Sequence, residues 1–119
     1  MDKALLSEIV YRYKFPKHRS HRAKGRAYHA ENLSCGDIIT IYLQIEKGYV
    51  KSASYTGQLC SIASFGAELL LDKLIGQPIS SIPSSADLLG ASGASLLKNP
   101  VRLKCFELAQ LALKNHSPL

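Results

Sequence analysis

Between Ile38 and Glu46 the chain alternates, with Ile39, Ile41, Leu43 and Ile45 on one side and Thr40, Tyr42 and Gln44 on the other. Successive strand side chains point to opposite faces, so this is the pattern of a strand with one face in a core. Lys47-Gly48 and a second β-branched and aromatic run, Tyr49–Thr56, follow at once. So short a connection makes an antiparallel hairpin, and Gly48 supplies the positive φ the turn needs. After Gly57 the period changes to that of a helix. Ile62, Phe65, Gly66, Leu69, Leu70 and Leu74 then share one face, and Gly76 stops the element.

The flanks complete the outline. Leu5, Leu6, Ile9, Val10 and Tyr13 give a short amphipathic helix over Lys3–Tyr13, ended by Pro16. Ala27–Glu31 suits an edge strand. Residues Gln77–Lys98 are rich in Ser, Gly, Ala and Pro and predict a long loop with one helical turn near Ala86–Leu89. Asn99-Pro100 predicts an N-cap followed by proline at the first helical position. The last helix then runs through Val101, Cys105, Phe106, Leu108, Ala109 and Ala112 to about Asn115. The expected fold is α+β, a small three-stranded antiparallel sheet packed by helices.

A chain of 119 residues suits one domain, with residues 1–26 a helix plus basic segment and 27–119 the core. No stretch approaches the ~20 apolar residues of a membrane span. Met1–Ala4 carries Asp2 and Lys3 and lacks the apolar core of a signal peptide, so the expected location is cytoplasmic.

The net charge of +6 is unevenly spread. Arg12, Lys14, Lys17, Arg19, Arg22, Lys24 and Arg26, with His18 and His21, stand together without an acid, whereas Ala27–Leu119 holds seven basic and seven acidic residues. No apolar periodicity pins Lys17–Gly25, so a mobile connection is expected there. Such a segment suits an acidic protein surface or nucleic acid. Tyr11, Tyr13 and Phe15 interleave with the charges, yet no nucleic-acid-binding signature accompanies them, and a basic nucleic-acid module ranks last.

Three cysteines are an odd number, which argues against a secreted disulfide framework. Cys35 precedes the long strand in Ser34-Cys35-Gly36-Asp37, Cys60 opens the helix after the hairpin, and Cys105 lies in the second turn of the last helix. Element ends can converge on one edge of a small domain. A helix N-terminus is expected to lower the Cys60 thiol pKa, and Arg102 and Lys104 to do the same for Cys105. Gly36 permits close backbone approach, and Asp37 can bring a carboxylate to the same centre. Three Cys and one Asp suit tetrahedral zinc or iron. With a divalent ion that set carries a charge of about −2, which Arg102 and Lys104 would offset. From residue types alone, ordinary buried cysteines remain the competing reading.

Four strings together resemble the IscU/SufU/NifU N-terminal scaffold family. They are Ser34-Cys35-Gly36-Asp37, Cys60-Ser61-Ile62 with Ser64, Arg102-Leu103-Lys104-Cys105, and the opening Ile9–Pro16 with its Tyr-x-x-Pro end. The resemblance covers nearly the whole chain and implies the family's U-type scaffold fold. It implies that Cys35, Asp37, Cys60 and Cys105 hold a [2Fe–2S] cluster, iron or a resting zinc. Cys35 and Cys105 are the implied acceptors of sulfur from a cysteine desulfurase, and apo iron–sulfur proteins the implied recipients. The family acts as a carrier rather than a turnover enzyme; a zinc-bound sulfur acceptor, in effect a sulfurtransferase, is the alternative. Lys104 stands where Isc-type members have a ligating His, and Arg-x-Lys-Cys resembles the Suf type, whose ~20-residue insertion is missing here. Asn99-Pro100-Val101-Arg102 matches the Leu-Pro-Pro-Val-Lys stretch only in part, so an Hsp70-type chaperone partner is only weakly implied.

Overall fold

Three strands, β1 (Arg26–Asn32), β2 (Asp37–Glu46) and β3 (Tyr49–Gln58), pair antiparallel in the order β1-β2-β3. The structure is a computed structural model and describes residues 3–20 and 24–114. The hairpin forms as expected, with positive φ at both Lys47 and Gly48. Ile39, Ile41 and Leu43 point inward and are almost fully buried, joined by Tyr28 and Ala30 from β1 and Val50 and Tyr55 from β3. Ile45 does not share that face. A register shift between Gln44 and Ile45 breaks the alternation and leaves Ile45 36% exposed.

Six helices pack on and around the sheet: α1 (Lys3–Lys14), α2 (Ser61–Leu74), α3 (Ser85–Leu89), α4 (Ala94–Leu97), α5 (Pro100–Phe106) and α6 (Leu108–Lys114). Among them, α2 touches α1, α3, α5, α6 and β3 and is buried on nearly every side. Its Phe65, Leu70, Leu71 and Leu74 meet Leu108, Ala109 and Ala112 of α6 in one apolar cluster. Each fully buried side chain of this size stabilises by about 1.5–3 kcal/mol, and α2 shares one continuous core with the inner face of the sheet.

The stretch expected as a loop is more helical than its composition suggests. Ser84 and Asp87 cap α3 reciprocally, side chain to backbone in both directions, and a 3₁₀ turn over Ala91–Gly93 leads into α4. Elements of four or five residues are too short to show periodicity. The last helix is two helices. α5 begins as expected, with Asn99 accepting the N–H of Arg102, but it stops at Phe106, and Glu107 has ψ near 2°. The break follows directly on the crossing with α2, where a Cβ on Gly66 would sit 2.1 Å from the Phe106 carbonyl oxygen.

The basic segment is not loose throughout. The N–H groups of Lys17 and His18 donate to the Glu68 carboxylate at 2.8 and 3.1 Å. The Ser20 N–H donates to the Tyr55 carbonyl, and the Tyr55 N–H to that of His18. Arg12 is bound as well, to Asp72 at 2.8 Å and Glu8 at 3.2 Å. Lys17–Ser20, within the stretch expected to be a mobile connection, is thus hydrogen-bonded to the core; residues 21–23 lie outside the described residues. Among the described residues no helix is long and apolar enough to cross a membrane.

Candidate metal centre

Asn32 and Asp37 face each other across the β1–β2 register, and the four residues between them form the loop that carries Cys35. The N–H groups of Cys35 and Gly36 both donate to the Asn32 carbonyl, a tight closure for which Gly36 adopts φ 74°. Cys35 is thereby exposed at the sheet edge, with its Sγ 3.0 Å from Asp37 Oδ2 and 3.6 Å from Cys105 Sγ. Cys105 itself is buried, 8% exposed.

These three ligand atoms lie within 4.8 Å of one another. Zinc–sulfur bonds of about 2.3 Å at tetrahedral angles put two sulfurs roughly 3.8 Å apart, so the observed 3.6 Å needs little adjustment to hold an ion. The donor chemistry fits too: two sulfurs and one carboxylate oxygen match zinc or iron better than calcium or magnesium.

Cys60 adjoins these three at the same edge, with its thiol beside the Asp37 carboxylate. Its backbone N–H donates to Asp37 Oδ1 at 3.0 Å, while its sulfur accepts the Ala63 N–H at 3.4 Å and caps α2. The expected set of four is therefore three assembled donors, with Cys60 adjoining and engaged in capping. The sulfur is exposed.

The thiol acidities run opposite to expectation. Burial pushes Cys60 up, and Asp37 adds to this, outweighing the N–H groups of Ala63 and Ile62 that pull it down. Cys105 is pushed up to about 12, first by burial, then by its hydrogen bond with Cys35 and by the charges of Cys60, Cys35 and Asp37. For Cys60 and Cys105, burial first and the neighbouring acids second make ionisation harder, and for Cys60 that outweighs the helix terminus. A bound cation reverses the balance, because metal binding and thiol deprotonation are linked. Neither Arg102 nor Lys104 figures among the groups acting on Cys105, and both are exposed. Lys104 instead lines a cleft with Glu31, Asn32, Leu33 and Ser34, beside the Cys35 loop.

Two polar residues that the sequence reading passed over are built into this architecture. Buried Asn32 donates from Nδ2 to Cys105 Sγ at 3.8 Å and accepts the Ser34 N–H on Oδ1 at 3.2 Å. An Asn three residues before a turn cysteine is an Asx-turn signal in its own right. Buried Glu68 accepts the Tyr55 hydroxyl at 2.8 Å besides the two N–H groups of the basic segment. Its signal was an acid inside the apolar run Ala67–Leu71.

Residues 6–116 match the family model described as the NifU-like N terminal domain. A curated relative from Thermotoga maritima, an iron-sulfur cluster assembly scaffold protein IscU, is 37% identical over 100 residues, spanning 71% of this chain and 70% of that protein. A protein of the same description from Streptococcus pyogenes serotype M1 is 25% identical over 118 residues, spanning 85% of this chain and 74% of its own length. Among solved structures, a candidate cluster assembly scaffold for the SUF system from Fervidobacterium islandicum superposes with a TM-score of 0.72 at 21% identity, covering 90% of this chain and 91% of the other. The N-terminal part of a NifU-like protein from Brucella abortus gives a TM-score of 0.62 at 14% identity, covering 90% and 85%. The two structures speak to the fold, which is the same α+β arrangement.

Proposed function

The chain belongs to the NifU-like N-terminal domain family, and from that premise we propose that it is a scaffold for iron–sulfur cluster assembly. In this reading residues 1–119 act as one domain and the cluster is cargo rather than a resident cofactor. The observation that carries the reading is the convergence of Cys35, Asp37 and Cys105 from a loop, a strand start and a helix onto one site, where Cys35 is exposed and the other two are buried. Cys60, whose thiol already lies beside Asp37, completes the ligand set by releasing the Ala63 N–H. A cysteine desulfurase supplies sulfur: a thiolate of Cys35 or Cys105 attacks the outer sulfur of the partner's persulfide, which moves across as the partner's thiolate leaves. Lys104, in the cleft beside the Cys35 loop, is the cation placed to meet the negative charge of the loaded centre. Apo iron–sulfur proteins receive the product.

The test is anaerobic reconstitution with ferrous iron, the desulfurase and cysteine, followed by visible absorption. The scaffold reading expects the bands of a [2Fe–2S] cluster in the wild type, their loss in Cys35→Ala and Cys105→Ala, and delivery to an apo-ferredoxin. A colourless product would overturn it. The second reading, a zinc-bound sulfur acceptor, draws on the 3.6 Å sulfur separation and on Lys104 in place of a ligating His. It expects a colourless protein holding one zinc and a persulfide detectable by mass.

A further inference from the structure

One buried residue touches both sulfurs of the candidate centre, the Cys35 thiol through its backbone carbonyl at 3.9 Å and Cys105 through its side-chain amide. Asn32 ends β1 and is 7% exposed. Its carbonyl accepts the N–H groups of Cys35 at 3.3 Å and Gly36 at 2.9 Å, and its Oδ1 accepts that of Ser34 at 3.2 Å. Every N–H from Ser34 to Gly36 thus ends on this residue. The remaining polar atom, Nδ2, reaches Cys105 Sγ at 3.8 Å, 73 positions further along the chain. Asn32 therefore fixes the loop that carries one sulfur and touches the other.

Resting on the metal-centre reading, we infer that Asn32 is the positioning residue of the centre. Its amide sets Cys105 opposite Cys35 and, once that sulfur is a thiolate ligand, donates to it and draws charge from it. Partners one step outside the ligands orient them and tune their donor strength, and losing one costs about 10–100-fold in metal affinity. Hydrogen bonds to ligand sulfurs also set the reduction potential of a cluster.

Two replacements separate this role from loop closure. Asn32→Ser and Asn32→Asp both keep an oxygen for the Ser34 N–H. Serine is too short to reach Cys105, and aspartate presents an acceptor where the amide donated. The full-length chain and each variant are titrated with cobalt(II), following the sulfur-to-cobalt charge-transfer band, while circular dichroism reports the fold. The expected result is native dichroism with cobalt bound about 10–100-fold more weakly and the band moved to longer wavelength. Reconstituted Asn32→Asp should also show a lower cluster potential. Wild-type affinity and band position in folded Asn32→Ser would overturn the inference, as would failure of both variants to fold, which would make Asn32 a folding residue. A wild-type chain that never develops the band would instead bring down the metal-centre reading, and this inference with it.

Discussion

The Asp37 carboxylate and the Cys60 backbone N–H meet at 3.0 Å, tying the first residue of β2 to the residue that caps α2. One oxygen of Asp37 is thus spent on architecture and the other, Oδ2, faces Cys35. That division makes Asp37 both a brace and a candidate ligand.

Asp37→Ala should separate the two duties. Removing a buried acceptor of this kind costs about 1.5–3 kcal/mol, measurable by urea unfolding, and Asp37→Asn should recover part of it. A carboxylate is a harder, less well-matched ligand for an iron–sulfur unit than a thiolate. On the scaffold reading Asp37→Ala therefore accepts a cluster but releases it to an apo-ferredoxin more slowly than wild type, whereas Cys35→Ala holds none. Transfer at the wild-type rate would strip Asp37 of its ligand role.

Glu68 holds the strand-like stretch Lys17–Ser20 against the core through two N–H groups. Glu68→Ala should free that stretch and leave the Tyr55 hydroxyl without its buried partner, at a cost of about 1–3 kcal/mol. Trypsin reads the result directly, because Lys17 and Arg19 become cleavable under native conditions. Equal cleavage rates in wild type and variant would show that the segment is held by something else.

Asp72 gives a pH signature. Partial burial raises its pKa, but hydrogen bonds and charges from Arg12 and His18 outweigh that and hold it below the ordinary value of 3.8. Lys17 approaches the same carboxylate at 3.8 Å. A folded-state pKa below the unfolded one adds stability that is complete above the unfolded pKa and lost as pH falls through the folded one. The melting-temperature advantage of wild type over Asp72→Asn should therefore be constant near neutrality and shrink once pH drops below about 4. An advantage that persists unchanged in acid would contradict the Arg12–Asp72–His18 arrangement.

Zinc should stabilise the fold, since its donors come from separate elements and no preformed site exists in an unfolded chain. At a hundredfold excess over the dissociation constant the gain is about 2.7 kcal/mol, several degrees in melting temperature for a domain of this size. Differential scanning fluorimetry should show that rise in wild type, its reversal by chelator, and its absence in Cys35→Ala and Cys105→Ala.

Periodicity made β2, β3 and α2 legible in the sequence, because each buries a face long enough to repeat its pattern several times. Ile45 shows where that legibility ends. A bulge after Gln44 turns it outward, and bulges are set by how two strands pair rather than by one strand's composition. The close approach of Gly66 to Phe106 is equally invisible in the sequence, since nothing local to α5 announces it. At the site, Cys35, Asp37 and Cys105 could be read from motif and placement. The sense of the Cys60 and Cys105 pKa shifts could not, for it depends first on how deeply the fold buries each thiol and then on the acids it sets beside them.

The Gly66–Phe106 crossing also bears on the centre. Phe106 follows Cys105 directly, so the point where α2 and α5 touch backbone to backbone lies almost under that cysteine. The crossing therefore sets the spacing of α2 and α5 at the end of α5 that bears Cys105: any side chain at position 66 would push the Phe106 backbone away, and Cys105 with it.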